Sequence, residues 1–227
     1  MRWFIPAAAA SDVSFAPVTD NPATDVQTAI ENNTTAIESN TTAIASAVAQ
    51  LGLAFIESQD ASASATLDFT GFDATKYDAY VFVLSNIIPA TDASVLRVRT
   101  SSDGGTSYDS GASDYAFAVE YLTFATSPVR SEFGDDAAAA IDVTENIGAT
   151  AGEDGASITL RINGPHLAKE THLDWSGVLT GSSLATRERI SGGGVRLSSE
   201  DVDAVQFLMS AGNIASGTIT MYGLRNQ

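Results

Sequence analysis

Three acidic clusters and two histidines are the residues of this chain with the types to do polar chemistry. Asp103-Gly104-Gly105, Asp135-Asp136 and Glu200-Asp201-Val202-Asp203 each offer hard oxygen ligands of the kind that hold a divalent cation. None has the spacing of the EF-hand loop, so they read first as solvated turns. His166 and His172 are the only histidines and flank Gly164-Pro165. A zinc site needs more ligands at closer spacing, and the chain has no cysteine to supply thiolates. His172 is expected to alternate with Asp174 on a strand face, with His166 in a loop. A glycosidase needs two carboxyl groups across a cleft, a placement no local spacing here encodes. No Gly-x-Ser-x-Gly elbow is present. Gly192-Gly193-Gly194 lacks the Lys-Ser/Thr of a phosphate loop and reads as a hairpin tip or a bulge. Trp175, Tyr108, Tyr115 and Tyr121 carry faces on which a sugar can stack, although most such rings are core. The chain is therefore read as a non-enzyme with no catalytic residue, no metal and no cofactor.

The stronger chemical pattern is association. Ile30-Glu31-Asn32-Asn33-Thr34 is followed by Ile37-Glu38-Ser39-Asn40-Thr41, and Ile44 and Leu51 continue the seven-residue step. With Ile30, Ile37, Ile44 and Leu51 at heptad position a, Val26, Asn33, Asn40 and Ala47 fall at d. Thr34, Thr35, Thr41 and Thr42 are poor helix formers, so such a helix is marginal alone and needs copies of itself. Polar d layers lower stability but fix register and oligomer state. Three amides on a three-fold axis can share a trapped anion or water, whereas one amide facing an apolar partner cannot be satisfied. The expectation is a parallel homotrimer, with an anion held on the axis at Asn33 and Asn40. The helix should start near Thr24, with Gln27 completing a capping box, and stop near Gly52.

Around this seam, the elements that must position it are an arm and a β domain. Residues 1–23 are read as an extended arm, in which Trp3, Phe4, Ile5, Val13 and Phe15 anchor to another protein. The opening Met1-Arg2-Trp3-Phe4-Ile5-Pro6 resembles a signal peptide, but its apolar run is short and broken by proline. Residues 24–52 are the coiled-coil stalk. Residues 53–227 show short β-rich runs between Gly, Asp and Ser clusters, as in a sandwich or barrel. Roughly eight to ten strands suit a jelly-roll-like β-sandwich, so the chain as a whole is mainly β. Tyr80-Val81-Phe82-Val83-Leu84 is nearly all apolar and is expected to be central and buried on both faces. Leu96-Arg97-Val98-Arg99 alternates and should have one solvated face. The segment from Ser127 to Gly155 is expected to be a long loop or a short helical insertion.

Formal net charge is −17 over 227 residues, with 11 Lys and Arg against 28 Asp and Glu. That balance argues against phosphate-backbone binding and excludes a nucleic-acid partner. No run approaches the length of a membrane span.

These pieces resemble the fibre and spike proteins of tailed bacteriophages. The resemblance rests on Asp12-Val13-Ser14-Phe15-Ala16-Pro17 before Ala23-Thr24-Asp25-Val26-Gln27-Thr28-Ala29-Ile30. It is joined by Tyr77-Asp78-Ala79-Tyr80-Val81-Phe82, Ser101-Ser102-Asp103-Gly104-Gly105 and the ending Gly217-Thr218-Ile219-Thr220-Met221-Tyr222-Gly223-Leu224. The stalk is similar to the Ile-x-x-Asn-Thr layers of trimeric autotransporter adhesins, which hold anions on their axis. The resemblance implies a structural virion protein, assembled in the host cytoplasm, whose arm binds a capsid or tail protein. Its β head then faces a host-surface glycan or protein. The alternative is a cellular trimeric adhesin or a carbohydrate-binding module.

Overall fold

The computed structural model describes residues 22–49, 52–183 and 186–225, with side chains of the helix described over 25–42. The chain divides into two compact units that meet in sequence at Leu51 and Gly52, and each is treated by itself. The protein is mainly β, with antiparallel sheets and one helix among the described residues.

The helix, α1, runs Pro22–Ala49. It begins two residues before the expected cap. Proline is well suited to the first helical turn, where its missing N–H has no partner to lose. Gln27 Nε2 donates forward to Glu31 Oε1 at 2.8 Å; the side chain of Thr24, its expected capping-box partner, lies outside the described residues. Gly52, the first described residue of the second unit, has φ of 83°, a left-handed conformation that glycine adopts at low cost.

The second unit has twelve strands among the described residues. They are β1 (Leu53–Ser64), β2 (Thr66–Phe69), β3 (Tyr77–Pro89), β4 (Leu96–Ser101), β5 (Tyr115–Thr123) and β6 (Arg130–Ala138). Then come β7 (Ile141–Asp142), β8 (Ala156–Asn163), β9 (Thr171–Thr180), β10 (Arg187–Arg196), β11 (Ala204–Met209) and β12 (Ile214–Arg225). An eight-stranded sheet has the order β1-β12-β3-β8-β9-β10-β5-β6, and a four-stranded sheet the order β2-β11-β4-β7.

Period-two burial makes the inner faces. On β8, Ile158, Leu160 and Ile162 are buried while Thr159 and Arg161 are exposed. The two sheets share one apolar core. Phe82 of β3 meets Phe69 of β2 at 5.4 Å and Phe207 of β11 at 5.3 Å between ring centroids. Such offset and edge contacts add to the stabilisation from area alone.

Three expectations change. β3 is central, but only Tyr80, Phe82 and Leu84 of its apolar run are buried, while Val81 and Val83 are half-buried on the outer face. That face packs beside the cross-strand neighbours Tyr222 and Arg161 rather than under a second layer. The segment after Ser127 is not helical, since it supplies β6 and β7. β6 is an edge strand, and its exposed charges Glu132, Asp135 and Asp136 suit an edge that must not recruit other chains. The three glycines are neither a tip nor a bulge. They lie inside β10, paired with β9 on one side and β5 on the other. A Cβ on Gly192 would overlap the Trp175 indole, and one on Gly194 would lie 2.9 Å from Ile141 Cδ1. Gly192 and Gly194 make room for large side chains from elsewhere in the core.

Candidate functional site

On α1, side chains three and four apart share a face, and seven residues return to nearly the same face about 10.5 Å further along the axis. Ile30 and Ile37 occupy one such row and are 55% and 64% exposed, with Val26 at 58%. Every described side chain of the helix is exposed. The threonines repeat one device twice. Thr34 and Thr35 donate to the carbonyls of Ile30 and Glu31, and Thr41 and Thr42 to those of Ile37 and Glu38, at 2.7 to 2.9 Å. Their hydroxyls are thus spent within the helix, as is usual for threonine in mid-helix. The Asn33 and Asn40 amides are exposed, and among the described residues they have no hydrogen-bond partner. The side chains of Ile44 and Ala47, and Leu51 entirely, lie outside the described residues. So do the anchoring residues Trp3, Phe4, Ile5, Val13 and Phe15.

In the β unit, two of the three acidic clusters come together. Gly104 N–H donates to both Asp203 carboxylate oxygens at 2.9 Å, and Ser102 Oγ donates to Glu200 Oε2 at 3.2 Å. Asp103 accepts from Ser107 Oγ at 2.6 Å, from Ser107 N–H at 2.9 Å and from Ser101 Oγ at 2.8 Å. The Ser107 hydroxyl is the main reason the Asp103 carboxyl is lowered to about 2, with the Ser107 N–H and Ser101 hydroxyl adding to it. These carboxylates are spent on loop N–H and O–H donors. Beside them, Arg196 is 1% exposed, and its Nε donates to Asp109 Oδ2 at 2.6 Å while Nη1 donates to the Glu200 carbonyl at 2.8 Å. The corner is a brace that ties the turn after β4 to the segment after β10. The third cluster, Asp135-Asp136, lies apart on exposed β6. Among the described residues no group of three acidic, histidine or cysteine side chains is placed to hold a metal.

His172 and Asp174 alternate on the exposed face of β9, and Asn163 Nδ2 donates to Asp174 Oδ1 at 2.9 Å. His166 is in the loop that follows β8, with Nε2 4.0 Å from Asp78 Oδ1. Of the aromatic residues considered for stacking, Trp175, Tyr115 and Tyr121 are 3%, 0% and 1% exposed and belong to the core. Burial first, then the nearby Asp68, pushes the Tyr108 hydroxyl up to about 12. Among the described residues the large exposed rings are instead Phe55 and Phe124, at 63% and 58%. Nothing in the spacing around either residue marks it: Phe55 lies within the edge strand β1 and Phe124 just after β5, placements set by strand order and strand ends.

The outer faces of β10, β5 and β6 form a shallow trough in which Gly193, Ala118 and Gly134 align across the three strands. Two adjoining concavities of about 660 and 640 Å3 lie along it. Glu120 and Glu132 face each other at its side, and Arg130 Nη2 meets Glu120 at 2.8 Å. Main chain and small side chains dominate this surface, so it gathers no converging set of donors. No helix among the described residues is long and apolar enough to cross a membrane. Compared with known protein families and with curated proteins, the chain matches no family model and no relative.

Proposed function

We propose that this chain is a homotrimeric structural protein of a virion, a fibre or spike. Its α1 segment is a parallel trimeric coiled coil, its N-terminal arm joins the particle, and its β unit is an attachment head. The observation that carries the reading is the row of exposed isoleucines on α1, at a heptad step, on a helix whose described side chains are all exposed. A 28-residue helix with threonine-rich turns and an uncovered apolar row needs a partner, and an internally repeated seam is matched best by copies of itself. Asn33 and Asn40, without a hydrogen-bond partner among the described residues, supply the polar layers that would hold an anion on the axis.

The head is read as a jelly-roll-like sandwich. Outside the β8–β9–β10 meander and the β5–β6 hairpin, each connection crosses from one sheet to the other. The net charge of −17 keeps such a head soluble at high local density and repels nucleic acid. Three heads on one stalk multiply weak contacts with a host surface through avidity. The sequence resemblance to phage fibre proteins supports the virion setting. Removing residues 1–20 tests the anchor: the truncated chain is expected to stay a soluble trimer and to be missing from purified particles. Normal incorporation of the truncated chain would refute the arm's role.

A further inference from the structure

Where β9 ends and β10 begins, strand ends converge around a depression of about 210 Å3. Its walls include Asn86, Phe124, Asp154, Ser157, Val178 and Arg187. Main-chain bonds hold these segments in place. Phe124 N–H donates to the Arg187 carbonyl at 2.8 Å, and Thr180 N–H to the Gly155 carbonyl at 2.9 Å. The position of Asn86 is set by a bulge in β3, where the register with β8 shifts between Leu84 and Ile87. Asn86 takes φ of 51°, and both it and Ser85 are exposed. Bulges commonly re-aim a side chain in this way. Ser157 Oγ accepts from Asn86 N–H at 3.1 Å and donates to Asn86 Oδ1 at 3.2 Å, so the amide oxygen is engaged and Nδ2 is left to donate. Gly155 fits under the bulge because a Cβ there would overlap the Ile87 carbonyl oxygen.

The chemistry is of two kinds. Phe124 and Val178, 58% and 47% exposed, give the depression exposed apolar surface. Around it stand an acceptor carboxylate, Asp154, a donor guanidinium, Arg187, and the donor amide of Asn86. Asp154 and Arg187 are both exposed, and among the described residues neither is in an ion pair. A pyranose ring has a matching division, with an apolar C–H face and a rim of hydroxyls that both donate and accept. The volume lies below the roughly 300–1,000 Å3 of drug-sized pockets and suits one sugar ring. The charge on the whole chain repels acidic saccharides at long range, while one acid and one base in the pocket leave it balanced.

We propose that this depression binds one neutral hexopyranose unit of a surface glycan, stacked on Phe124. The biological use rests on the attachment reading; the binding itself needs only one chain. Saturation-transfer NMR on the full-length protein, with methyl glucoside, methyl galactoside and methyl mannoside as probes, tests it. At least one should receive saturation at its ring C–H protons, with affinity of about millimolar order, as expected of a single shallow site. Phe124→Ala should weaken that binding at least about tenfold and Arg187→Ala several-fold, with Phe55→Ala, a second exposed ring outside the depression, unchanged. Thermal melting of each variant should match the parent, because exposed side chains away from special features contribute little to stability. The proposal is overturned if none of the three sugars receives saturation, if Phe124→Ala binds as the parent does, or if methyl glucuronide is preferred over all three. A monomeric chain that binds sugar would sink the stalk and leave the pocket standing, and a trimer that binds none would do the reverse.

Discussion

Replacing Ile37 with aspartate probes the proposed α1 trimer seam at its most exposed described isoleucine. Ile37 is 64% exposed in the single chain. Burying a whole isoleucine contributes about 1.5–3 kcal/mol, so hiding the exposed part gives about 1–2 kcal/mol per chain and about 3–6 kcal/mol per trimer. The midpoint concentration of a monomer–trimer equilibrium varies as the square root of its constant. Loss of that contribution alone therefore raises the midpoint by roughly 10- to 150-fold. Three carboxylates brought to one axis add a desolvation penalty of several kcal/mol per ion, and dissociation should be complete at micromolar protein. The pH dependence has a definite sign. Burial and like charge raise the pKa of the introduced carboxyl in the trimer above its value in the monomer, so the trimer binds more protons. Association of the Ile37→Asp variant should be recovered as pH falls below the raised value and lost again as pH rises through it. Sedimentation velocity on parent and variant at equal concentrations reads the result. A variant that keeps the trimer mass at neutral pH refutes the assigned register, and a parent that sediments as a monomer refutes the stalk altogether.

The glycine strand offers a paired comparison. Gly192→Ala forces its methyl into the Trp175 indole and should destabilise by about 1–3 kcal/mol, lowering Tm by roughly 2–4 °C per kcal/mol. Gly193→Ala, whose nearest neighbour would be the Leu173 carbonyl oxygen at 3.6 Å, should leave Tm unchanged or slightly higher; equal losses in calorimetry would contradict the packing account. The Asp103 carboxyl, lowered to about 2 mainly by the Ser107 hydroxyl, contributes stability that is present above the ordinary carboxylate pKa of ~3.9 and is lost as pH falls through about 2. Ser107→Ala should move the Asp103 titration upward in carboxyl NMR and shift acid unfolding to higher pH, and an unmoved Asp103 titration would exclude the hydroxyl as its cause.

Local patterning made much of the architecture legible. Leu96 and Val98 are buried while Arg97 and Arg99 are half-buried, as their alternation requires. The Ile–Asn heptad lies on one continuous helix because its period is a local property of the chain. Features set by distant partners were not legible. Three glycines in a row look like a turn until Trp175 is known to lie against Gly192 and Ile141 against Gly194. The Ala137–Ala140 run favours a helix by intrinsic propensity, yet pairing with β5 draws its start into a strand. Asp103 and Asp203 lie far apart along the chain, so their meeting around Gly104 has no local signature. Phe124 comes to share one depression with Asn86 and Arg187 only once β3, β8, β9, β10 and β5 are ordered in one sheet.

The unequal width of the two sheets also sets how the β unit should come apart. β6 is hydrogen-bonded on one side alone, to β5, and its side chains are mostly exposed. Its main inward tie is Phe133, stacked on Tyr121 with centroids 5.6 Å apart. Strands held so lightly open at a small fraction of the free energy needed to unfold the whole. Deuterium should accordingly enter β6 first and reach β8 and β3 last, as though the wide sheet were unzipped from one selvedge toward its middle.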